Sequence, residues 1–296
     1  MLALSSSGAV LAAIRQAREV SCSAFRLRPA GALFDALGAA AASGAAVRVR
    51  LAGPGFGSSR PGEAAAEAAN AANRAAVDAL RALGADAAVA GPSGPQLHMK
   101  ALIADGTLFL DDRNWPGDGR DTILATTDPA ELSVVRSALA GVSAESAADG
   151  EALATVKSRA LDLEAETIAG DPCVAGDRVD CESESFGPGR VCAALRSRAE
   201  AGAHVRLLVG AGEIGAGELR ALRRLEAAGA EIRLGERAEK LALAGGRGWV
   251  GSANATSASP AMIDWGYAAR SPDLLGALRD RFEEGWSAGR PLSKCR

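Results

Sequence analysis

Apolar positions recur at two different periods along this chain. Short apolar runs at 21–27 (SCSAFRL), 46–52, 178–183 and 204–210 read as strands. Between them lie longer stretches, 8–20, 30–43, 63–83, 129–141, 187–202, 215–229 and 272–286, in which alanine and leucine return at helical spacing. Several of these end at glycine, where a left-handed cap is expected. The run His98-Met99-Lys100-Ala-Leu-Ile-Ala-Asp105-Gly106-Thr-Leu-Phe-Leu reads as two apolar strands joined at Asp105-Gly106, and 240–251 reads as a second strand pair. The segment 53–63, the richest in Gly, Pro and Ser, reads as a loop. Strands alternating with helices predict an α/β fold, with sheets covered by helices.

The pattern occurs twice. SGAAVRVRLAG at 43–53 corresponds to AGAHVRLLVG at 201–210, and each is followed by an alanine- and leucine-rich helix ending in a Gly-Ala-acid turn, at 83–86 and 228–231. The interval from Lys100 to Asn114 recurs from Lys240 to Asn254, Asp121 lines up with Asp264, and Pro129 with Pro272. The chain therefore reads as two copies of one unit, 1–145 and 146–296, joined at about 140–165. Each copy has the usual size of a domain, and together they can bury a substantial core.

Composition adds limits to this picture. Apolar residues make up 48% of the chain and charged residues 23%, which is the balance of a globular protein. A net charge of −3 argues against a broadly basic surface, so a nucleic-acid partner is not favoured. Cys22, Cys173, Cys181, Cys192 and Cys295 form no C-x-x-C pair, and with two histidines in the chain no metal site is expected; they read as reduced thiols. A bridge between Cys173 and Cys181 would need an oxidising compartment. The first twenty residues lack a positive leader and read as an amphipathic helix, and no window approaches the length of a membrane span. The expectation is a cytoplasmic protein, monomeric, with an internal pseudo-dimer.

Candidate chemistry centres on His98. Residues two apart on a strand share a face, so His98 and Lys100 project together. A neutral imidazole can attack phosphorus while the ammonium holds the phosphate oxygens and the charge that builds on them. His204 lies in a core-strand segment and reads as structural.

His98, Lys100 and Asp105 match H-x-K-x4-D, and Gly251-Ser252-Ala253-Asn254 matches G-S-x-N. At these residues, and through the repeat over nearly the whole chain, the sequence resembles the phospholipase D superfamily. The resemblance implies two tandem repeats, each a mixed β-sheet covered by helices, packed about a pseudo-twofold axis. It also implies a site on that axis that works without a metal or other cofactor. One histidine would form a phosphohistidine with a phosphodiester substrate, a phospholipid or another, and a second would act as general acid. Carried over residue by residue, His98, Lys100, Asp105, Lys240 and Asn254 become the catalytic set, and Asn114, Ser252, Gly251, Asp121 and Asp264 support the phosphate or orient a histidine.

The second motif is degenerate. Ala238 stands where the second histidine belongs and Gly245 where the aspartate belongs. In the first unit, Asp111-Asp112 replaces the Gly-Ser pair. Two desolvated carboxylates there would repel a dianion. Alternatively one of them, its pKa raised by burial beside the other, would replace the lost acid. Glu239 is a weaker substitute, since alternation turns it away from Lys240, and Glu236 falls in the preceding loop. Arg113 reads as binding phosphate or, the favoured alternative, neutralising the Asp pair. Trp115 and Trp249, beside the two Asn turns, read as lining a pocket for an acyl or base moiety or, more safely, as rim packing. Asp105, on its local context, is a turn residue, and a cap or turn role suits Asp264 as well as orienting a histidine. Two functions follow: a phosphodiesterase or phosphatidyltransferase acting through His98, or a pseudoenzyme that keeps a phosphate pocket for binding or scaffolding.

Overall fold

The computed structural model describes residues 2–53, 63–90, 96–115, 121–148, 150–170, 178–212, 214–236 and 239–292, with the side chains of 63–66 left aside. Ala238 and most of the 53–63 loop lie outside these residues, as do Cys173 and Cys295. The chain falls into two compact units: Met1–Ser146 with Ala261–Asp264, and Ala147–Pro260 with Trp265–Arg296.

In the first unit the elements run β1 (Ala3–Ser5), α1 (Ser7–Gln16), β2 (Glu19–Ala24), α2 (Ala32–Ala42), β3 (Ala46–Leu51), α3 (Glu63–Ala82), β4 (Asp86–Val89), β5 (Lys100–Ala104), β6 (Thr107–Asp111), β7 (Ile123–Thr126) and α4 (Pro129–Leu139). They form a 7-stranded mixed sheet in the order β1-β7-β6-β5-β2-β3-β4, with β2, β3 and β4 parallel and the rest antiparallel. Val20, Cys22, Val49, Leu51 and Leu102 from the central strands pack with Ile14, Leu37 and Leu80 from the helices. Helix starts follow the local sequence: Ser6 Oγ caps α1 by accepting from Ala9 N–H, and Asp128 caps α4 ahead of Pro129 at its first turn.

The second repeat opens with β8 (Glu145–Ala148), β9 (Glu151–Val156) and α5 (Lys157–Ala169), then β10 (Arg178–Ser183), α6 (Arg190–Glu200), β11 (His204–Gly210), α7 (Ala216–Ala227), β12 (Glu231–Gly235), β13 (Leu241–Ala244), β14 (Arg247–Gly251), β15 (Ile263–Ala269), α8 (Pro272–Ala288) and β16 (Arg290–Pro291); Ile263 and Asp264, at the start of β15, belong to the first compact unit. Its 9-stranded sheet runs β16-β12-β11-β10-β13-β14-β15-β9-β8. From β12 to β9 this repeats the first sheet strand for strand, so the mixed-sheet, tandem-repeat architecture expected from the sequence is the one observed.

Several expectations need correcting. The stretch at 140–165 is no connector: β9 and α5 within it are the counterparts of β1 and α1. In α5 the buried Ala160, Leu161, Leu163 and Ile168 keep helical spacing, but Lys157 and Glu164 are buried with them, so the apolar face is broken by charge. His204 is exposed at the first position of β11, where Nε2 lies 2.9 Å from Glu231 Oε1, and it is not a core residue. Cys181 is a buried free thiol, so it takes no part in a bridge to Cys173. Among the described residues no helix is long and apolar enough to cross a membrane.

Candidate active site

His98 is placed just before β5 by backbone bonds to a segment far away in sequence. The N–H groups of His98 and Met99 both donate to Ile263 O, at 2.8 and 2.9 Å, and Ile263 N–H donates to Gln96 O at 2.8 Å. Leu97 and Ile263 form a parallel bridge at the same point. This junction brings the next residue, Asp264, to the imidazole: its Oδ1 lies 2.9 Å from His98 Nδ1, and both side chains are buried. Asp264 is thus placed to orient the His98 imidazole through Nδ1. The sequence paired Asp264 with a histidine missing from its own repeat, and nothing local points to His98.

Lys100, the first residue of β5, is 1% exposed, and its Nζ lies 3.1 Å from His98 Nε2 and 3.2 Å from Nδ1. The Phe25 ring meets the imidazole edge-on at 4.9 Å and has Lys100 Nζ 5.7 Å from its centre. A carboxylate on Nδ1 holds the proton there and leaves the Nε2 lone pair for attack. The buried ammonium beside Nε2 provides fixed positive charge in a low-dielectric setting, where it acts most strongly on an incoming anion.

The segment holding Phe25 is fixed by a residue that sequence reading missed. Asn73 on α3 accepts from Leu27 N–H and donates to Phe25 O and Ala52 O. In the second unit Glu218 on α7 accepts from Phe186 N–H in the same way. A lone Asn or Glu within a polar helical pattern carries no local sign of this work.

Asp105 is not brought to His98. It sits at the far end of β5, in a left-handed conformation with φ 49°, and its Oδ1 accepts from the N–H groups of Arg18 and Glu19. Gly245 occupies the matching turn of the second unit with φ 54°. Asp105 is thus a structural residue that anchors the start of β2, and the catalytic placement drawn from the motif is corrected.

The Asp pair separates into two roles. Asp112 Oδ1 accepts from Thr122 N–H at 3.0 Å, and Ser252 Oγ accepts from Trp265 N–H at 3.1 Å. The sheet registers make these positions equivalent, so both side chains clip the end of one strand to the start of the next. Ser252 is fully buried in this work. Asp111 stands opposite Lys100 in the β5–β6 pairing, and its Oδ2 accepts from Trp115 N–H at 2.6 Å. Burial, and then the charge of Asp121, push the Asp111 carboxyl up to about 7, against the pull of the Trp115 and Arg113 amides and of Lys100. The expected repulsion from two carboxylates is therefore reduced: one is a clip, and the other holds its proton over most of the acidic range. Arg113 Nη1 lies 3.6 Å from Asp121 Oδ1, so the arginine offsets the Asp121 charge.

In the second unit Lys240 is buried, and its Nζ lies 3.0 Å from Glu184 Oε2. By register, Glu184 takes the position that Phe25 has in the first unit. Gly251 N–H donates to Lys240 O, and a Cβ on Gly251 would come within 2.5 Å of Trp265 O, so this glycine is required by packing. Asn254 follows in the same turn with its Oδ1 buried, as is that of Asn114. Glu239 Oε1 lies 3.3 Å from Arg281 Nη1. Trp249 is fully buried in the core rather than at a rim, and Trp115 is half-buried.

The chain has the two-repeat phospholipase D-like fold. Among solved structures it is similar to polyphosphate kinase from Porphyromonas gingivalis, with TM-score 0.63 and 16% identity over 94% of this chain, which spans 45% of the kinase. It is similar also to phosphatidylserine synthase from Haemophilus influenzae Rd KW20, with TM-score 0.63 and 11% identity over 97% of this chain and 85% of the synthase. Comparison of the sequence with family models and with curated proteins finds no match.

Proposed function

We propose that the protein catalyses phosphoryl transfer on a phosphodiester, a phospholipid or another, through a phosphohistidine at His98. The observation that carries this reading is the buried Asp264–His98–Lys100 array, with 2.9 Å from carboxylate to Nδ1 and 3.1 Å from ammonium to Nε2. In the reaction, Nε2 forms a bond to phosphorus as the bond to the leaving oxygen breaks. Asp264 takes up the positive charge that appears on the ring, and Lys100 the negative charge on the phosphoryl oxygens. Water or an alcohol then attacks phosphorus, its proton passing to the group that protonated the leaving oxygen, and the P–N bond breaks to release the imidazole. By the motif resemblance, Lys240, Asn254 and Asn114 belong to the phosphate cradle, and Asp111, as the protonated carboxyl nearest Lys100 in register, is the candidate for the lost acid.

An aryl phosphodiester with a good leaving group tests the reading, since it needs no general acid. A stoichiometric burst of phenolate is expected, with an acid-labile, base-stable phosphate on the protein that is absent in His98→Ala. Equal rates for wild type and His98→Ala would exclude it.

A second reading is favoured by one observation, the Glu184 carboxylate on Lys240. A carboxylate at the ammonium is what a unit relieved of phosphate binding would acquire, and it supports a pseudoenzyme that uses the first unit's pocket for binding.

A further inference from the structure

The first unit contains a cavity of about 500 Å³ that adjoins the proposed phosphate site through Asn114 and Asp121 on its lining. Its walls come from α1, from the 26–31 segment with the start of α2, and from the turn after β6. Leu11, Phe34, Trp115 and Ile123 give it an apolar lining; Arg26 and Arg28, both exposed, line its solvent side, and the carboxylate of Asp121, also on its wall, lies 3.6 Å from Arg113. Leu11, Phe34 and Trp115 are only partly buried although they pack on the core, so this wall keeps apolar surface in contact with water.

Two observations tie the cavity to the nucleophile. The Arg26 guanidinium carbon is 5.3 Å from the centre of the Phe25 ring, and that ring is the one packed on His98 and facing Lys100. One aromatic ring thus separates a cation of the cavity from the imidazole. Trp115, in turn, has the left-handed φ of 54°, uncommon for a bulky residue, and is held there by the bond from its N–H to Asp111, the cross-strand partner of Lys100. Its indole Nε1 donates to Ser23 O at 3.4 Å, which fixes the ring as a wall.

We propose that this cavity receives the apolar arm of an anionic phosphodiester, an alkyl or aryl group of limited size, with Arg26 and Arg28 attracting the anion to its mouth. The proposal rests on the reading of His98 as the nucleophile and adds the class of substrate. The volume is in the range of small-molecule sites, and an apolar lining with few polar groups is their usual character. The cations at the solvent side supply the charge complementarity that an uncharged lipid or a cationic amphiphile would lack.

The test uses the full chain with methyl, butyl and octyl p-nitrophenyl phosphates. For methylenes that enter the cavity, kcat/KM is expected to rise by roughly fourfold each, until the cavity is filled. Phe34→Ser is expected to reduce the butyl-to-methyl ratio by at least about tenfold, and Leu219→Gln, on the exposed face of α7, to leave it unchanged. Binding of octyl sulfate below its micelle concentration, set against inorganic sulfate by calorimetry, gives a readout that does not depend on turnover. Should Phe34→Ser fail to fold, Arg28→Ala is expected to weaken octyl sulfate binding by about threefold. A kcat/KM that is equal for methyl and butyl esters, or octyl sulfate binding no tighter than sulfate, overturns the cavity assignment. Tight octyl sulfate binding with no burst from any ester upholds the cavity and overturns the phosphohistidine.

Discussion

Asp264 and His98 stand 166 positions apart in sequence and 2.9 Å apart in the fold. A carboxylate on Nδ1 favours the tautomer with its proton there and its lone pair on Nε2, the nitrogen that Lys100 Nζ approaches at 3.1 Å. Asp264→Asn keeps the shape but loses the charge that compensates the imidazolium. Its expected effect is a drop in the burst rate by about 10²–10⁴. Stopped-flow measurement of phenolate release checks this, and a loss smaller than threefold would remove Asp264 from the mechanism.

Asp111 sets a pH limit on the same site. With its carboxyl pushed up to about 7, it is neutral below that pH and does not oppose an anion near Lys100; above it, the new charge does. Activity on a phosphodiester is therefore expected to decline as pH rises through about 7. Asp111→Asn should extend the plateau to higher pH if repulsion dominates, and should abolish turnover on poor leaving groups if Asp111 is the acid. Profiles on aryl and alkyl leaving groups separate these effects, and a variant profile identical to wild type on both would show that Asp111 plays neither part.

Glu164 provides a stability test remote from the site. It is buried beside Cys181, with Oε1 3.6 Å from the sulfur, and burial pushes its carboxyl up to about 8. Because the folded value lies above the unfolded one, the folded state holds a proton that the unfolded state releases. Stability is unaffected below about pH 4 and declines as pH rises from there to about 8, by a few kcal/mol in all. Glu164→Gln should flatten that decline. Urea midpoints at pH 5 and pH 8 measure it, and an equal pH dependence in the variant would contradict the assignment.

The clip shared by Asp112 and Ser252 predicts a pattern of tolerance. Ser252→Ala leaves the Trp265 amide without this acceptor and should cost about 1–3 kcal/mol. Asp112→Ser should be milder than Asp112→Ala, because a serine makes the same bond in the other unit. Denaturant titration ranks the three, and a serine variant as damaged as the alanine one would show that the charge, not the clip, matters at Asp112.

Lys240 and Glu184 test the pseudoenzyme reading. Glu184→Gln removes the negative charge 3.0 Å from a buried ammonium and should increase the rise in melting temperature produced by sulfate. The carboxylate is more than half exposed, so a gain of a few-fold in affinity is the scale expected. No change with added sulfate would mean that Lys240 does not take part in anion binding.

What the sequence determined by itself was whatever is periodic or local. Apolar spacing marked most strands and helices, because burial of one face requires it. The recurring interval between Lys100 and Asn114, and between Lys240 and Asn254, marked the repeat. The His98 and Lys100 pairing was legible because residues two apart share a face near a strand. What the tertiary structure decided was every role that depends on a partner distant in the chain. Asp264 reaches His98 through the bridge at Leu97 and Ile263, Asp105 turns to the amides of Arg18 and Glu19, and Asn73 holds the Phe25 segment. Asp112 and Ser252, of different chemistry, do the same work because a backbone amide needs only an oxygen. A carboxylate has the same letter in the sequence whether it orients a base, clips two strands or holds a proton; its burial and its neighbours, which only the fold supplies, make the difference.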